Sequence, residues 1–502
     1  MTAYSALEEH HRRIAHLSHA EAMLSWDEAT MMPSGGGDAR ADALASLRGA
    51  IHERSTEPRL GELFAKAESQ TGALDEWQIA NLREMKRLFS RATAVPQELV
   101  EKSSRAETRS GQAWRALRAK NDWQSFRPFL EEVVAIKRDV AAVLADKLGL
   151  EPYDALLDGY EPGASSVECE RLFARLREFL PGFVEKVMDR QRSEVVHVPV
   201  GPFSMERQRW LGAELMKRLG FDFSRGRLDV SHHPFCGGVP QDVRITTRYH
   251  SEDFSRSLMG VIHETGHAKY EQNLPARFID QPVGMARGMA VHESQSLLHE
   301  MQLSRGRAFL ALAAPLVREA FPEAAARQPA AFTPENLGRL ATRVRPSFIR
   351  VDADEATYPC HVIVRFEIEK PLVERKLDVK DIPDAWDAGM KRLLGLSTAG
   401  NYADGCMQDI HWPEGAIGYF PTYTLGALVA AQLFSAARRA VADFDARVER
   451  GEFGALDSWL RENVWAMGSR YETNELVRRA TGEPLGTAAF EAHLARRYLP
   501  NA

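Results

Sequence analysis

Apolar positions recur at three- and four-residue steps through most of the chain, and that spacing predicts helices. Leucines and alanines mark such stripes over residues 3–28, 36–53, 57–92, 97–119 and 123–148, then over about 166–193 and 204–219. The pattern returns over about 305–321, 334–343, 354–371, 382–396, 424–447, 455–466 and 487–498. Pro33-Ser34-Gly35-Gly36-Gly37 separates the first pair as a turn; no strand precedes it and no Lys-Ser/Thr follows, so it is not read as a phosphate loop. The texture changes over residues 227–250. There Val243, Ile245 and Thr247 alternate with Arg244, Thr246 and Arg248, the period of a strand, after a loop at Cys236-Gly237-Gly238-Val239-Pro240. The pattern predicts a mainly α protein with one small β element. A free edge on that strand could pair with an extended peptide, the equal alternative being a small structural hairpin.

The helix expected within residues 251–273 carries His263-Glu264-Thr265-Gly266-His267. Glu252 and Asp253 would be acids in its first turn, and Leu258, Val261, Ile262 and Thr265 its apolar stripe. One helical turn separates His263 from His267, so both imidazoles can reach one metal ion. Glu264 on the flank can take a proton from water that the metal activates. Gly260 and Gly266 each cost roughly 1 kcal/mol in a helix interior. Something approaching the backbone closely would explain them.

A third ligand is needed, and the next helix carries His292-Glu293-Ser294-Gln295-Ser296-Leu297-Leu298-His299-Glu300. Glu293, His299 and Glu300 compete for that role on spacing alone. Two polar stretches interrupt the later helices: Ile349-Arg350-Val351-Asp352-Ala353-Asp354, and Gly405 through Trp412 leading into Gly418-Tyr419-Phe420-Pro421-Thr422-Tyr423. Loops dense in His, Asp, Gln, Trp and Tyr are better placed for chemistry than for packing.

Composition narrows the class. The 502 residues are 44% hydrophobic and 27% charged, which is ordinary for a globular protein able to bury a large core. A formal net charge of −6, with Lys and Arg scattered among acids, argues against nucleic acid as a partner. The four cysteines lack C-x-x-C spacing, which excludes a Cys-based zinc site and fits reduced thiols in the cytoplasm. The N-terminus has no secretory pattern, and the longest apolar run, near 424–434, is too short to span a bilayer and reads as a buried helix.

Together these segments resemble the carboxypeptidase Taq family of metallocarboxypeptidases, peptidase family M32. The resemblance rests on His233-Pro234-Phe235, Asp242 through Thr246, the His263–His267 pentapeptide, His292 through Gln295, Ile349 through Asp354, and Gly405 through Trp412, in that order. Leu24-Ser25-Trp26-Asp27 and Met32-Pro33 also look like the family's opening. The resemblance implies one peptidase domain over 1–502: a helical part to about 225, a metal and catalytic part to about 425, and C-terminal helices beyond. It implies a saddle-like helical metallopeptidase with a deep groove, usually a homodimer. Such an enzyme removes single residues from free peptide C-termini with broad specificity, poorly when proline is terminal.

By the same resemblance, His263, His267 and Glu293 hold Zn2+, with Co2+ as a possible substitute, and Glu264 is the general base. His411 and Tyr423 are the candidates for stabilising the oxyanion, with Tyr419 a rival. Arg350 is the candidate grip on the substrate carboxylate, the alternative being a salt bridge to Asp352 or Asp354. Arg244, paired with Asp242, would organise the β edge, and His233 would line the groove. The competing reading is an oligopeptidase with the same metal core and no grip on the C-terminus.

Overall fold

In the computed structural model, which describes residues 2–500, the expected stripes become twenty-one α-helices among the described residues. The N-terminal series is α1 (Ala3–Thr30), α2 (Gly37–Ser55), α3 (Arg59–Glu68), α4 (Glu76–Ala94), α5 (Gln97–Arg118), α6 (Trp123–Leu148), α7 (Pro152–Leu157), α8 (Ser166–Gln191) and α9 (Met205–Arg218). The single helix expected over 57–92 is two. A short turn at Thr71–Ala73 ends the first, and Asp75 starts the second with a capping box: its carboxylate accepts from Gln78 N while Gln78 Oε1 accepts from Asp75 N.

Three strands follow: β1 (Gly226–Val230), β2 (Cys236–Val239) and β3 (Asp242–Thr247). Their order is β1-β3-β2, with β1 parallel and β2 antiparallel to β3. Two expectations change here. The glycine-rich stretch read as a loop is mostly β2, because backbone pairing with β3 outweighs its weak strand propensity. Strand β3 is then central and paired on both sides, so it has no free edge to offer a peptide. Val243 and Ile245 bury one face of the sheet against Met216 of α9 and against Val261 and Ala268, which sit on the metal-motif helix.

That helix, α10 (Phe254–Gln272), begins two residues later than the acids require. Asp253 is its cap, accepting from Ser255 N at 2.9 Å, and Glu252 lies outside it. The chain continues through α11 (Met289–Leu297) into a π-helical stretch, Leu298–Ser304. Then come α12 (Arg307–Ala320), α13 (Pro322–Arg327), α14 (Pro334–Ala341), α15 (Tyr358–Val373), α16 (Ile382–Leu394) and α17 (Pro421–Ala440). The final helices are α18 (Phe444–Glu449), α19 (Gly454–Asn463), α20 (Thr473–Thr481) and α21 (Ala488–Tyr498). The helix expected over 424–447 breaks where Asp443 turns left-handed, at φ 53°. Its apolar run is buried in α17, as expected, within a core that extends from α6 to α21.

Two glycines let three of these helices meet at the site. A Cβ on Gly266 of α10 would stand 2.3 Å from Gln295 O on α11. A Cβ on Gly426 of α17 would stand 2.9 Å from Glu293 Cβ. Glu293 is therefore clasped between α10 and α17. Gly260 has no such neighbour and only Thr247 Oγ1 at 3.9 Å, so close approach accounts for Gly266 alone.

Candidate active site

The helical period puts His263 and His267 on one face of α10, with ring centroids 5.0 Å apart. Glu293 on α11 meets them: its Oε2 lies 3.4 Å from His267 Nε2 and 3.9 Å from His263 Nε2. The candidate ligand atoms of these three residues all lie within 4.8 Å of one another. Spacing alone left three rivals for the third position; the structure separates their placements. His299 Nδ1 bonds Gln295 O at 2.7 Å and its other nitrogen is buried without a partner. Glu300 stands behind His263 rather than beside Glu293.

The supporting bonds fix which nitrogen of each imidazole is free. Glu300 Oε2 lies 2.9 Å from His263 Nδ1, and a carboxylate only accepts, so Nδ1 donates and Nε2 keeps its lone pair. Arg305 holds the other oxygen of Glu300 at 2.7 Å. On the second imidazole the chain is longer. Glu271 Oε1 accepts from His292 Nε2 at 2.8 Å, which leaves His292 Nδ1 as acceptor for His267 Nδ1 at 2.7 Å. Both Nε2 atoms thus face Glu293 unprotonated in the neutral rings. This donor set, two imidazole nitrogens and a carboxylate with braced outer partners, fits a divalent cation of the zinc class.

The surrounding carboxylates favour a positive charge at His263. Burial works against an imidazolium at His263, yet Glu293 and the bond to Glu300 outweigh it and raise the group to about 10. His267 moves the other way, to about 4, through burial and then His292. Burial, moderated by His263, lifts Glu264 to about 7.

All four residues line one cavity of about 1210 Å³, whose wall also includes Arg350, Tyr358, Tyr419 and Tyr423. Arg350 does not pair with Asp352 or Asp354. Asp354 instead holds the turn that precedes the next helix by accepting from Ala356 N and Thr357 N, both at 3.0 Å. The partner of Arg350 is Asp409, whose Oδ1 accepts from Nε at 3.1 Å and Nη2 at 2.9 Å; Tyr358 OH accepts from Nη1 at 2.8 Å. Arg365 donates to the other oxygen of Asp409, from Nε at 2.8 Å. Burial works against the charge on Asp409, but Arg365 and then Arg350 hold its carboxyl well below the usual range. Two guanidiniums against one carboxylate leave a net positive charge at the cavity wall.

His411 and Tyr423 come together, with His411 Nε2 3.2 Å from Tyr423 OH. Burial drives His411 down to about 4, so the ring is neutral, and burial drives the Tyr423 phenol up. Tyr423 faces the cavity; His411 stands behind it and also packs on Tyr419, 5.5 Å between ring centroids. Tyr419, raised to about 12 chiefly by burial, packs edge-on against Tyr423 at 5.1 Å. The Arg350 guanidinium lies 4.8 Å from the Tyr423 ring centroid, so the positive wall and the phenols are adjacent.

The remaining candidates sit apart. His233 is exposed and its neighbours Pro234, Phe235 and Cys236 line the cavity instead. Arg244 pairs with Asp242 at 3.0 and 2.6 Å and stacks on Trp26 of α1, 4.6 Å from the ring centroid. It ties the sheet to α1 rather than facing the cavity. Sequence reasoning missed His292, Glu271, Arg305, Asp409 and Arg365 as members of the site. The signals were the dense polar loop around Asp409 and the place of His292 in the motif it opens.

The family profile for carboxypeptidase Taq (M32) metallopeptidases matches residues 6–498. Thermostable carboxypeptidase 1 of Thermus thermophilus is 38% identical over 506 residues, covering 99% of this chain and 98% of that protein. Carboxypeptidase 1 of Bacillus subtilis is 34% identical over 492 residues, covering 97% and 96%. Among solved structures, metallocarboxypeptidase 1 of Trypanosoma cruzi superposes with a TM-score of 0.96 at 44% identity, covering 99% of each chain. An M32 carboxypeptidase of Deinococcus radiodurans gives 0.93 at 35%, covering 99% of this chain and 98% of that one.

Proposed function

The chain belongs to the carboxypeptidase Taq (M32) family of metallopeptidases and is a peptide hydrolase, and from that premise we propose that it is a zinc-dependent carboxypeptidase. It releases single residues from free peptide C-termini, with broad specificity and with Glu264 as proton carrier. The observation that carries this reading is a juxtaposition: His263, His267 and Glu293 share one cavity with the positively charged wall at Arg350.

His263, His267 and Glu293 would hold the cation, which when bound supplies Lewis-acid polarisation of a carbonyl oxygen and of water. Glu264, buried beside them, accepts a proton from the attacking water and returns it to the leaving amide nitrogen. Arg350 receives the substrate's terminal carboxylate. Of its five N–H groups three are committed, to Asp409 and Tyr358, and one on each Nη is left. A planar pair of that kind suits a carboxylate. Tyr423, held neutral and backed by His411, donates its O–H to the oxygen that gains charge, with Tyr419 beside it. Arg244 is left with a supporting role at the sheet, and His233 has no part in the proposed chemistry. The proposal extends to one peptidase domain, a cytoplasmic homodimer and peptide partners alone. The net charge of −6 offers no basic excess for nucleic acid, and no helix among the described residues is long and apolar enough to cross a membrane.

Glu264→Gln tests the central role. We expect kcat to fall by about 10²–10⁴-fold while metal content per chain stays that of the wild type. A metal-loaded variant with full kcat would overturn the assignment.

A further inference from the structure

Away from the cavity wall, one buried carboxylate closes both ends of the loop that carries His411 and Tyr419. Glu369 on α15 is fully buried. Its Oε1 accepts from Trp412 Nε1 at 2.8 Å, and its Oε2 accepts from Tyr153 OH at 2.9 Å and from Gly418 N at 3.2 Å. Trp412 directly follows His411, and Gly418 directly precedes Tyr419. The third donor, Tyr153, belongs to α7, and the turn after that helix supplies Tyr160, packed edge-on against Tyr419 at 5.0 Å.

The chemistry of the three donors explains the residue type. All are neutral groups that present a hydrogen, so the group between them must accept on both sides and donate on neither. An amide of the same shape turns an NH2 toward one of them and leaves a buried donor unpaired. The segment from His411 to Phe420 has no regular helix or strand to fix it. Its position depends on such side-chain anchors.

We infer that Glu369 is a positioning residue of the reaction: by holding Trp412 and Gly418 it sets His411 and Tyr419, and through them the Tyr423 hydroxyl, at the developing oxyanion. The inference rests on the reading of His411 and Tyr423 given above.

The test is a double-mutant cycle on the zinc-loaded enzyme at pH 8, with Glu369→Gln and His411→Ala singly and together, and a free-acid peptide as substrate. Glu369→Gln should lower kcat by about 10–100-fold, leave KM within about threefold and leave zinc stoichiometry unchanged. In the His411→Ala background the same change should cost less than about threefold more, because both act through one contact. Trp412→Phe removes one donor and spares the carboxylate. It should lose kcat in the same direction and with the same non-additivity, which keeps the inference testable should Glu369→Gln not fold. Wild-type kcat in folded Glu369→Gln and Trp412→Phe, with His411→Ala impaired, would overturn this inference alone, as would fully additive losses. Wild-type kcat in both His411→Ala and Tyr423→Phe would overturn the reading beneath it as well.

Discussion

Replacing Arg350 with methionine should abolish recognition of the substrate's C-terminus and leave the hydrolytic centre intact. The size of the loss follows from the donors left over. On the proposed reading, each of the two uncommitted N–H groups would make a charge-assisted bond to a substrate carboxylate, worth roughly 1.5–3 kcal/mol. Together they contribute about 3–6 kcal/mol, or about 10²–10⁴-fold in kcat/KM. The fold should survive, because Asp409 keeps Arg365 as a partner and is not stranded as a lone buried charge. The assay compares kcat/KM for one peptide as the free acid and as the C-terminal amide. Wild type should cleave the acid far faster. Arg350→Met should lose that preference by slowing on the acid while changing little on the amide, which had no carboxylate to lose. A folded variant that kept the wild-type preference would refute the assignment to Arg350, and equal cleavage of acid and amide by the wild type would favour an oligopeptidase reading.

Three further outcomes follow from the same geometry. Glu300→Gln removes the acceptor that orients His263 and should weaken metal binding about 10–100-fold, measured by competition with a chelator; unchanged affinity would count against that bracing role. Gly266→Ala pushes a methyl to 2.3 Å from Gln295 O and should destabilise the protein by about 1–3 kcal/mol or more in urea unfolding, where wild-type stability would contradict the close packing. Burial lifts Glu369 from 4.5 to about 7, so between those values the folded chain binds a proton the unfolded chain has released. The stability this proton contributes is full below about 4.5 and is lost as pH rises through about 7, a difference of about 3 kcal/mol. Glu369→Gln lacks this dependence, so its Tm relative to wild type should rise between pH 5 and pH 8; a fall would reverse the sign.

The sequence made the metal helix legible because the helical period alone puts His263 and His267 on one face. Spacing could not choose among Glu293, His299 and Glu300, which lie on one continuous run of helix. The choice depends on the approach of α10 and α17, permitted by Gly266 and Gly426, and on the π-helical stretch that holds Glu300 behind His263. Ion-pair partners were harder still. The alternative weighed for Arg350 was a salt bridge to nearby Asp352 or Asp354, whereas its partner Asp409 comes from a loop that only tertiary folding delivers. His292 shows the same limit: its place in the motif was visible, but its bond to His267 Nδ1 is a contact between two helices. The strand was found from its period, yet its central position was not, because β2 is too rich in glycine to read as a strand by itself.

The most direct test of the whole account is time-resolved mass spectrometry of an unmodified peptide incubated with the enzyme, with and without a zinc chelator. A ladder shortening one residue at a time from the C-terminus, stopped by the chelator and restored by added zinc, is the expected result. Internal cleavage products, or a ladder indifferent to the chelator, would contradict it.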